Sequence, residues 1–437
     1  MTPCSYSNQT INRMKYFFII LALLTCSSSF TQYKNIKVNT KNNRPNETSI
    51  TINPSNPMNL VAGANISNFY YSIDGGNSWH EGNLKSGEYG VWGDPCVIFD
   101  NSNNVYFFHL AVPNFNQFID RIVCQKSTDG GVAWNNPGSF TGLNSPKQQD
   151  KEWACADPFK KGFVYVTWTQ FDKYQSKKKG DSSNIMFSFS TDFGNSWSSA
   201  QRINHTAGDC FDSSNTVEGA VPCVGPDGEI YVGWSGPLGI VFDKSTDGGL
   251  SWLAEDKEVC KSPGGWAYDI DGLWRSNGLP VTACDISSSL FRGNIYINFS
   301  DRRNGEDDVD IFIVKSSDGG NTWSEPIRVN TDAPGNKRQQ FMSWMSVDPV
   351  TGNVYVLFYD RRNYTNTKTD VYLARSTDGG ETFRNIKISE SPFKPDADIF
   401  FGDYVGVDAR NDFAACIWTR LEDGVLSVQY AGIDFKE

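Results

Sequence analysis

Six eight-residue segments of near-identical wording recur along this chain and restrict it to a repeat architecture. They read SIDGGNSW at 72–79, STDGGVAW at 127–134, STDFGNSW at 190–197, STDGGLSW at 245–252, SSDGGNTW at 316–323 and STDGGETF at 376–383. Successive copies start 55, 63, 55, 71 and 60 residues apart, which is the length of a four-stranded unit with its loops. Each segment has local chemistry. Asp-Gly favours a tight turn, because glycine accepts positive φ and the carboxylate can take backbone N–H groups ahead of it. The leading serine hydroxyl can act likewise, and the closing aromatic can pack beneath the turn.

A second pattern precedes each segment: a strand ending near Asp or Asn, a turn, then an aromatic-rich strand. It occurs seven times, at 52–64, 99–111, 156–168, 224–234, 284–299, 347–360 and 407–418. The seventh unit lacks the turn segment, and its third strand ends near the C-terminus. Its missing fourth strand is expected at the other end of the sequence. Ile36-Lys37-Val38-Asn39-Thr40 matches Ile327-Arg328-Val329-Asn330-Thr331, an outer strand that follows the fifth segment. Pairing the N-terminal strand with the last unit closes the ring and removes its exposed edges. The expectation is therefore all-β: a seven-bladed β-propeller, with a six-bladed ring as the alternative.

Composition agrees. Aromatics make up 14% of the 437 residues and there are 39 glycines, a balance that suits short strands and tight turns. A net charge of −11 argues against a nucleic-acid or anionic-membrane partner, and the one basic run, Lys177-Lys178-Lys179, reads as a solvated loop. Lys15, the apolar run at 17–24 and small residues at Ser29 and Thr31 predict a signal peptide over 1–31, with Met14 as a possible start. Residues 32–437 then form one secreted propeller domain, expected to be a monomer with no membrane span. Cys26 sits in a poor lipoprotein box. Of the eight later cysteines, Cys210 and Cys260 lie in loops and are the better bridge candidates.

The turn segment matches the Asp box, and the chain resembles the sialidase-like Asp-box (BNR repeat) propellers over essentially its whole mature length. The resemblance implies that Asp74, Asp129, Asp192, Asp247, Asp318 and Asp378 are structural and lie on the face away from any active site. Chemistry is then expected on the opposite rim, just before first strands and just after second strands. Those positions are polarised. Glu47, Asp94, Asp150, Glu152 and Glu218 come from the early blades, while the Asp301-Arg302-Arg303 and Asp360-Arg361-Arg362 turns and Arg420 come from the late ones. Acids facing arginines suit an acidic sugar, since arginine grips a carboxylate bidentately and a carboxylic acid can protonate a glycosidic oxygen. The plainer reading of the Asp-Arg-Arg turns is local ion pairing.

Mapped from the family, Arg302, Arg361 and Arg420 would grip the substrate carboxylate. Glu218 would partner Tyr404 as nucleophile, and Asp94 would be the acid. The family's Arg-Ile-Pro motif is absent. The stretch 264–280 interrupts the rhythm; its Trp266, Tyr268, Trp274 and Arg275 form either a sugar-stacking wall or a plug over the mouth. Three histidines exclude a His-rich metal site, and His109, at the expected functional face, reads as a hydrogen-bonded strand-end residue. No cofactor is called for; a structural calcium could use Glu306, Asp307, Asp308 and Asp310. The leading expectation is an exported sialidase-like glycosidase acting on anionic glycans. A non-catalytic glycan- or protein-binding propeller and a uronic-acid polysaccharide lyase, with Tyr404 and Arg420, remain as alternatives.

Overall fold

The computed structural model describes residues 1–3, 33–114 and 117–436. The predicted signal segment and Cys26 lie outside the described residues. Residues 33–436 form seven four-stranded antiparallel sheets, each a blade of a β-propeller. The innermost strands are Ser49–Ile52, Cys96–Phe99, Gln148–Ala156, Glu218–Val224, Val281–Cys284, Gln340–Val347 and Gly406–Arg410. Each touches the inner strand of the blade on either side, so they line a closed ring. The seven-blade count stands and the six-bladed alternative falls. Ring closure is as read: Ile36–Lys37 pairs antiparallel with Val425–Asp434, placing Ile36 opposite Tyr430.

The second strand of each blade shows why the pattern is so hydrophobic. Val164–Phe171, in blade 3, is buried along its whole length, because sheets on both sides cover it. Its register is fixed against the turn segment, with Val164 opposite Ser190; the same pairing recurs for Val105 with Ser127 and Ile230 with Ser245. One residue on stands a buried tyrosine whose hydroxyl donates to the Asp closing the first strand: Tyr106 to Asp100 at 2.8 Å and Tyr165 to Asp157 at 3.0 Å. Four residues on stands a large core side chain, Trp168, Trp234, Phe299 or Phe358. His109 takes that place in blade 2. Its burial is complete, Nδ1 lies 2.8 Å from the Leu110 carbonyl oxygen, and burial pulls its pKa down to about 4, so it is a core residue in the neutral form.

The turn segments connect third to fourth strands and share one bonding scheme. In the first, Ser72 Oγ donates to Asp74 Oδ1 at 2.8 Å and accepts Gly76 N–H at 2.9 Å, while Asp74 accepts Ser78 N–H at 2.9 Å and Ser78 Oγ–H at 2.6 Å. Asp192, Asp247, Asp318 and Asp378 repeat it, and Asp129 does so without the last bond, because Ala133 stands in the place of Ser78. Since strands alternate direction, these turns lie at the end of each blade opposite to the start of its first strand. All eight described cysteines are free thiols, Cys210 and Cys260 included. Among the described residues no helix is long and apolar enough to cross a membrane.

Candidate active site

The mouth of the ring is built where the inner strands begin, and the backbone there is unusual. Glu47, Asp94, Lys151 and Met342 occupy the left-handed region, with φ of 52°, 53°, 51° and 49°, at the start of four different blades; Gly219 and Gly402 do so in two more. For a residue with a Cβ this costs roughly 1–2 kcal/mol. Register shifts between Asp150 and Trp153, Glu218 and Val221, and Phe341 and Trp344 mark β-bulges at the same level. A bulge re-aims the adjoining side chains, here toward the channel. Asn65 ties two blades together, accepting Asp94 N–H at 2.9 Å and donating to Asn46 Oδ1 at 3.0 Å and to Glu47.

The result is a concentration of carboxylates. A cavity of about 120 Å³ is lined by Asp94, Asp150, Asp212, Glu218 and Asp403, with Lys151, Arg275 and Tyr174 among them. Arg275 forks onto Asp403, Nε donating to Oδ1 at 2.9 Å and Nη2 to Oδ2, and its Nη1 lies 3.8 Å from Asp212 Oδ2. Tyr174 donates its hydroxyl to Asp212 at 2.8 Å.

This asymmetry separates the acids. Burial, then the charges of Asp212 and Asp150, push Glu218 well above the usual carboxylate range. Burial with Asp94 and Asp212 does the same to Asp150, and burial raises Asp94 and, with Asp94 and Asp403 beside it, Glu47. For Asp403 burial also opposes the charge, but the Arg275 guanidinium outweighs it and holds this carboxyl below its ordinary value. Glu218 Oε2 is buried without a hydrogen-bond partner.

Below the mouth a small cavity of about 20 Å³ is lined by Glu152, Trp153, Trp344 and Tyr404. Both Glu152 carboxylate oxygens and the Tyr404 hydroxyl lack partners there, so Tyr404 makes no hydrogen bond to Glu218. Burial, then Asp94, Glu47 and Glu152, push the Tyr404 hydroxyl well above its normal value. Lys151 Nζ sits 3.6 Å from its ring centroid. This environment keeps the phenol neutral, and its hydroxyl is hydrogen-bonded to no carboxylate, whereas a Tyr nucleophile needs such a base.

The three late arginines are not brought together. Arg302 donates to the Gly264 carbonyl at 3.1 Å and Arg361 to the Asp271 carbonyl at 2.8 Å, so both hold the 264–280 segment. Arg420 donates to the Ser391 carbonyl at 2.9 Å, in the connection from blade 6 to blade 7. Their neighbours Arg303 and Arg362 make the local ion pairs, to Asp301 and Asp360. The 264–280 segment is both anchor and wall. Trp266 and Tyr268 are buried, Trp266 Nε1 donating to the Thr216 carbonyl at 3.0 Å, whereas Trp274 is 60% exposed. Trp274, Trp92, Phe400, Ile66 and Arg44 line an open cleft of about 430 Å³. The Arg275 guanidinium, 4.9 Å above the Phe400 ring, stands between this cleft and the acidic cavity.

The proposed calcium acids do not converge. Asp307 pairs with Lys337 at 2.9 Å, Asp308 accepts the Gly335 and Lys337 N–H groups, Asp310 pairs with Arg328, and Glu306 is exposed. Among the described residues one group brings three metal-ligating atoms within 4.8 Å of one another: His205, Asp243 and Asp256, away from the mouth.

Of the residues singled out from the sequence, Asp94, Glu218 and Arg275 line this cavity. Asp150, Lys151 and Asp403 fell within the rim positions but were given no role, and Tyr174, from the loop between the second and third strands of blade 3, and Asp212, from the connection of blades 3 and 4, carried no signal. The chain matches no protein-family model and no curated protein sequence. Among solved structures it superposes on an ulvan lyase of polysaccharide lyase family PL25 with a TM-score of 0.53 and 13% identity, over 92% of this chain and 96% of that one. It superposes on a protein of unknown function from Dyadobacter fermentans with a TM-score of 0.51 and 10% identity, over 92% and 98%. An intramolecular trans-sialidase from Ruminococcus gnavus aligns at 0.46 with 15% identity, over 91% and 96%. At these identities the first two likenesses are of fold alone.

Proposed function

We propose that this is an exported glycoside hydrolase whose reaction centre is the acidic cavity at the propeller mouth. The observation that carries the reading is the separation of two carboxyl groups in one cavity. Glu218 is pushed toward the protonated form by burial and neighbouring acids, and Asp403 is held charged by Arg275. Glycosidic cleavage needs that division: a carboxylic acid to protonate the leaving oxygen and a carboxylate to act on water or on the anomeric carbon. Asp212 and Asp150 lie on the same wall and sustain the field that raises Glu218. The Trp92–Trp274–Phe400 cleft supplies apolar faces for further sugar rings.

The charge of the lining argues for a neutral or cationic glycan. Arg302, Arg361 and Arg420 hold backbone carbonyls, and Arg275, whose fork is filled by Asp403, is the one arginine at the cavity. An anionic substrate would meet five carboxyl groups, Asp403 held charged among them, against Lys151 and Arg275. The test is a reducing-end assay on neutral, amino-sugar, sialylated and uronate-containing oligosaccharides, with Glu218→Gln and Asp403→Asn as controls. Expected is turnover of a neutral or amino-sugar substrate, reduced about 100-fold or more by either substitution. Turnover indifferent to both substitutions overturns the site, an unsaturated uronate product identifies a lyase, and retention without turnover identifies a binding propeller.

A further inference from the structure

Where blade 3 hands over to blade 4, three side chains converge at a place that two other junctions of the ring fill differently. Asp256, just ahead of the fourth strand Lys257–Cys260, accepts the His205 and Thr206 N–H groups on Oδ2 at 2.8 and 3.1 Å. His205 Nδ1 lies 3.0 Å from Asp256 Oδ1. Asp243, on the third strand Gly239–Ser245, is wholly buried. Its Oδ1 accepts Lys244 N–H at 2.6 Å and Leu253 N–H at 2.9 Å, which fixes the carboxylate. Its Oδ2 is buried and has no hydrogen-bond partner. The His205 nitrogen and one oxygen from each aspartate lie within 4.8 Å of one another.

The internal repeat shows which part of this is generic. At the junction of blades 7 and 1, Thr40 stands for His205, Glu81 for Asp256 and Tyr70 for Asp243; Thr40 N–H donates to Glu81 at 2.8 Å. At the junction of blades 5 and 6 the trio is Thr331, Asn385 and Ala374, with Thr331 N–H donating to Asn385 at 2.9 Å. An outer-strand acceptor for the preceding blade's exit loop therefore belongs to the architecture. A histidine and a buried carboxylate facing it do not. Asp243 is also costly where it stands, since a buried carboxylate oxygen without a partner has lost its hydration and gained nothing.

We propose that His205, Asp243 and Asp256 bind one divalent transition-metal ion of the zinc class, which clamps the exit of blade 3 to blade 4. An imidazole nitrogen with two carboxylate oxygens is a donor set for Zn²⁺ and its first-row neighbours, and the nitrogen disfavours Ca²⁺ and Mg²⁺. The ion gives Asp243 Oδ2 the partner it lacks. The side chain of His205 is 47% exposed, which provides the entry path and leaves a coordination position to solvent.

The test is direct binding to the chelator-treated full chain, by calorimetry with Zn²⁺ and by the visible spectrum with Co²⁺, comparing wild type with His205→Thr and Asp243→Asn. His205→Thr installs the residue found at the junctions of blades 7 and 1 and of blades 5 and 6, so its zinc-free melting temperature should equal that of wild type. Expected are one Zn²⁺ per wild-type chain, a rise in melting temperature on addition of zinc, and a Co²⁺ spectrum indicating a nitrogen ligand. Each substitution should weaken binding at least about 100-fold and abolish the zinc-induced thermal shift. Absence of stoichiometric binding to wild type overturns the proposal. Binding that both variants retain also overturns it and moves the ion elsewhere, such as the acidic mouth.

Discussion

Removing Arg275 should convert the most stable charge at the mouth into a liability, and pH reveals the change. The fork to Asp403 places opposite charges about 4 Å apart, worth about 4 kcal/mol at an effective dielectric constant near 20. The Arg275 side chain is 48% exposed against 13% for Asp403, so solvent screens much of this and about 1–2 kcal/mol remains. Without that preference for the charged form the pKa of the Asp403 carboxyl should rise in Arg275→Ala. The sign follows from the direction of the native shift. Asp403 is held below its unfolded value, so the stability it lends is present above the ordinary Asp range and is lost as pH falls through its lower folded pKa. In Arg275→Ala the carboxylate is left beside Glu47 and Asp94, unfavourable at neutral pH and relieved by protonation. The gap in urea midpoint between wild type and variant should be widest near pH 7 and should close below about pH 4. Arg275→Lys should fall between them, because an ammonium cannot fork, and Arg275→Ala with Asp403→Asn should recover most of the loss. A gap constant between about pH 7 and pH 3.5, or a double variant no better than the single, refutes the reasoning.

Other outcomes follow from single contacts. Ser190→Ala leaves the buried Gly194 N–H without the hydroxyl that accepts it at 2.9 Å, and should lower unfolding stability by about 1–3 kcal/mol without altering activity or glycan binding. Trp274→Ala removes an exposed ring, so the melting temperature should hold while retention on a glycan affinity gel falls about tenfold, equivalent to ~1.4 kcal/mol; unchanged retention removes the cleft from the binding site. Gly402 has φ of +98°, and a Cβ there would lie 2.7 Å from Glu47 N. Gly402→Ala should therefore lower both the melting temperature and the turnover of any substrate found, and an unaffected variant contradicts the tight blade 7 to blade 1 contact.

What could be read from the sequence and what could not divide along a physical line. The blade count and ring closure were legible because each mark is local. Ser72 and Asp74 bond within their own turn, Tyr165 meets an Asp eight residues away, and Ile36-Lys37-Val38 repeats the wording of another outer strand. Half the site was legible for the same reason: Asp94 and Glu218 stand at strand starts, where the repeat predicts the rim. The roles were not, because at the mouth the neighbours that set each group's charge come from other blades. Asp403 is held charged by an arginine 128 residues away, and Glu218 is pushed up by Asp212, from the connection of blades 3 and 4, and by Asp150, from the inner strand of blade 3. The Asp-Arg-Arg turns show the converse. Their wording is alike, and in both the second arginine closes a local pair with the aspartate, to Asp301 and to Asp360, as proximity dictates. The first arginine reaches out of the turn, Arg302 to Gly264 and Arg361 to Asp271. Both thereby hold the segment that delivers Arg275 to the mouth, so the late blades' arginines serve the acidic cavity through one guanidinium rather than three. That arrangement makes the charge balance of the mouth depend on a single side chain carried by a single inserted loop. A change in that loop can alter it while the blades beneath keep the same fold.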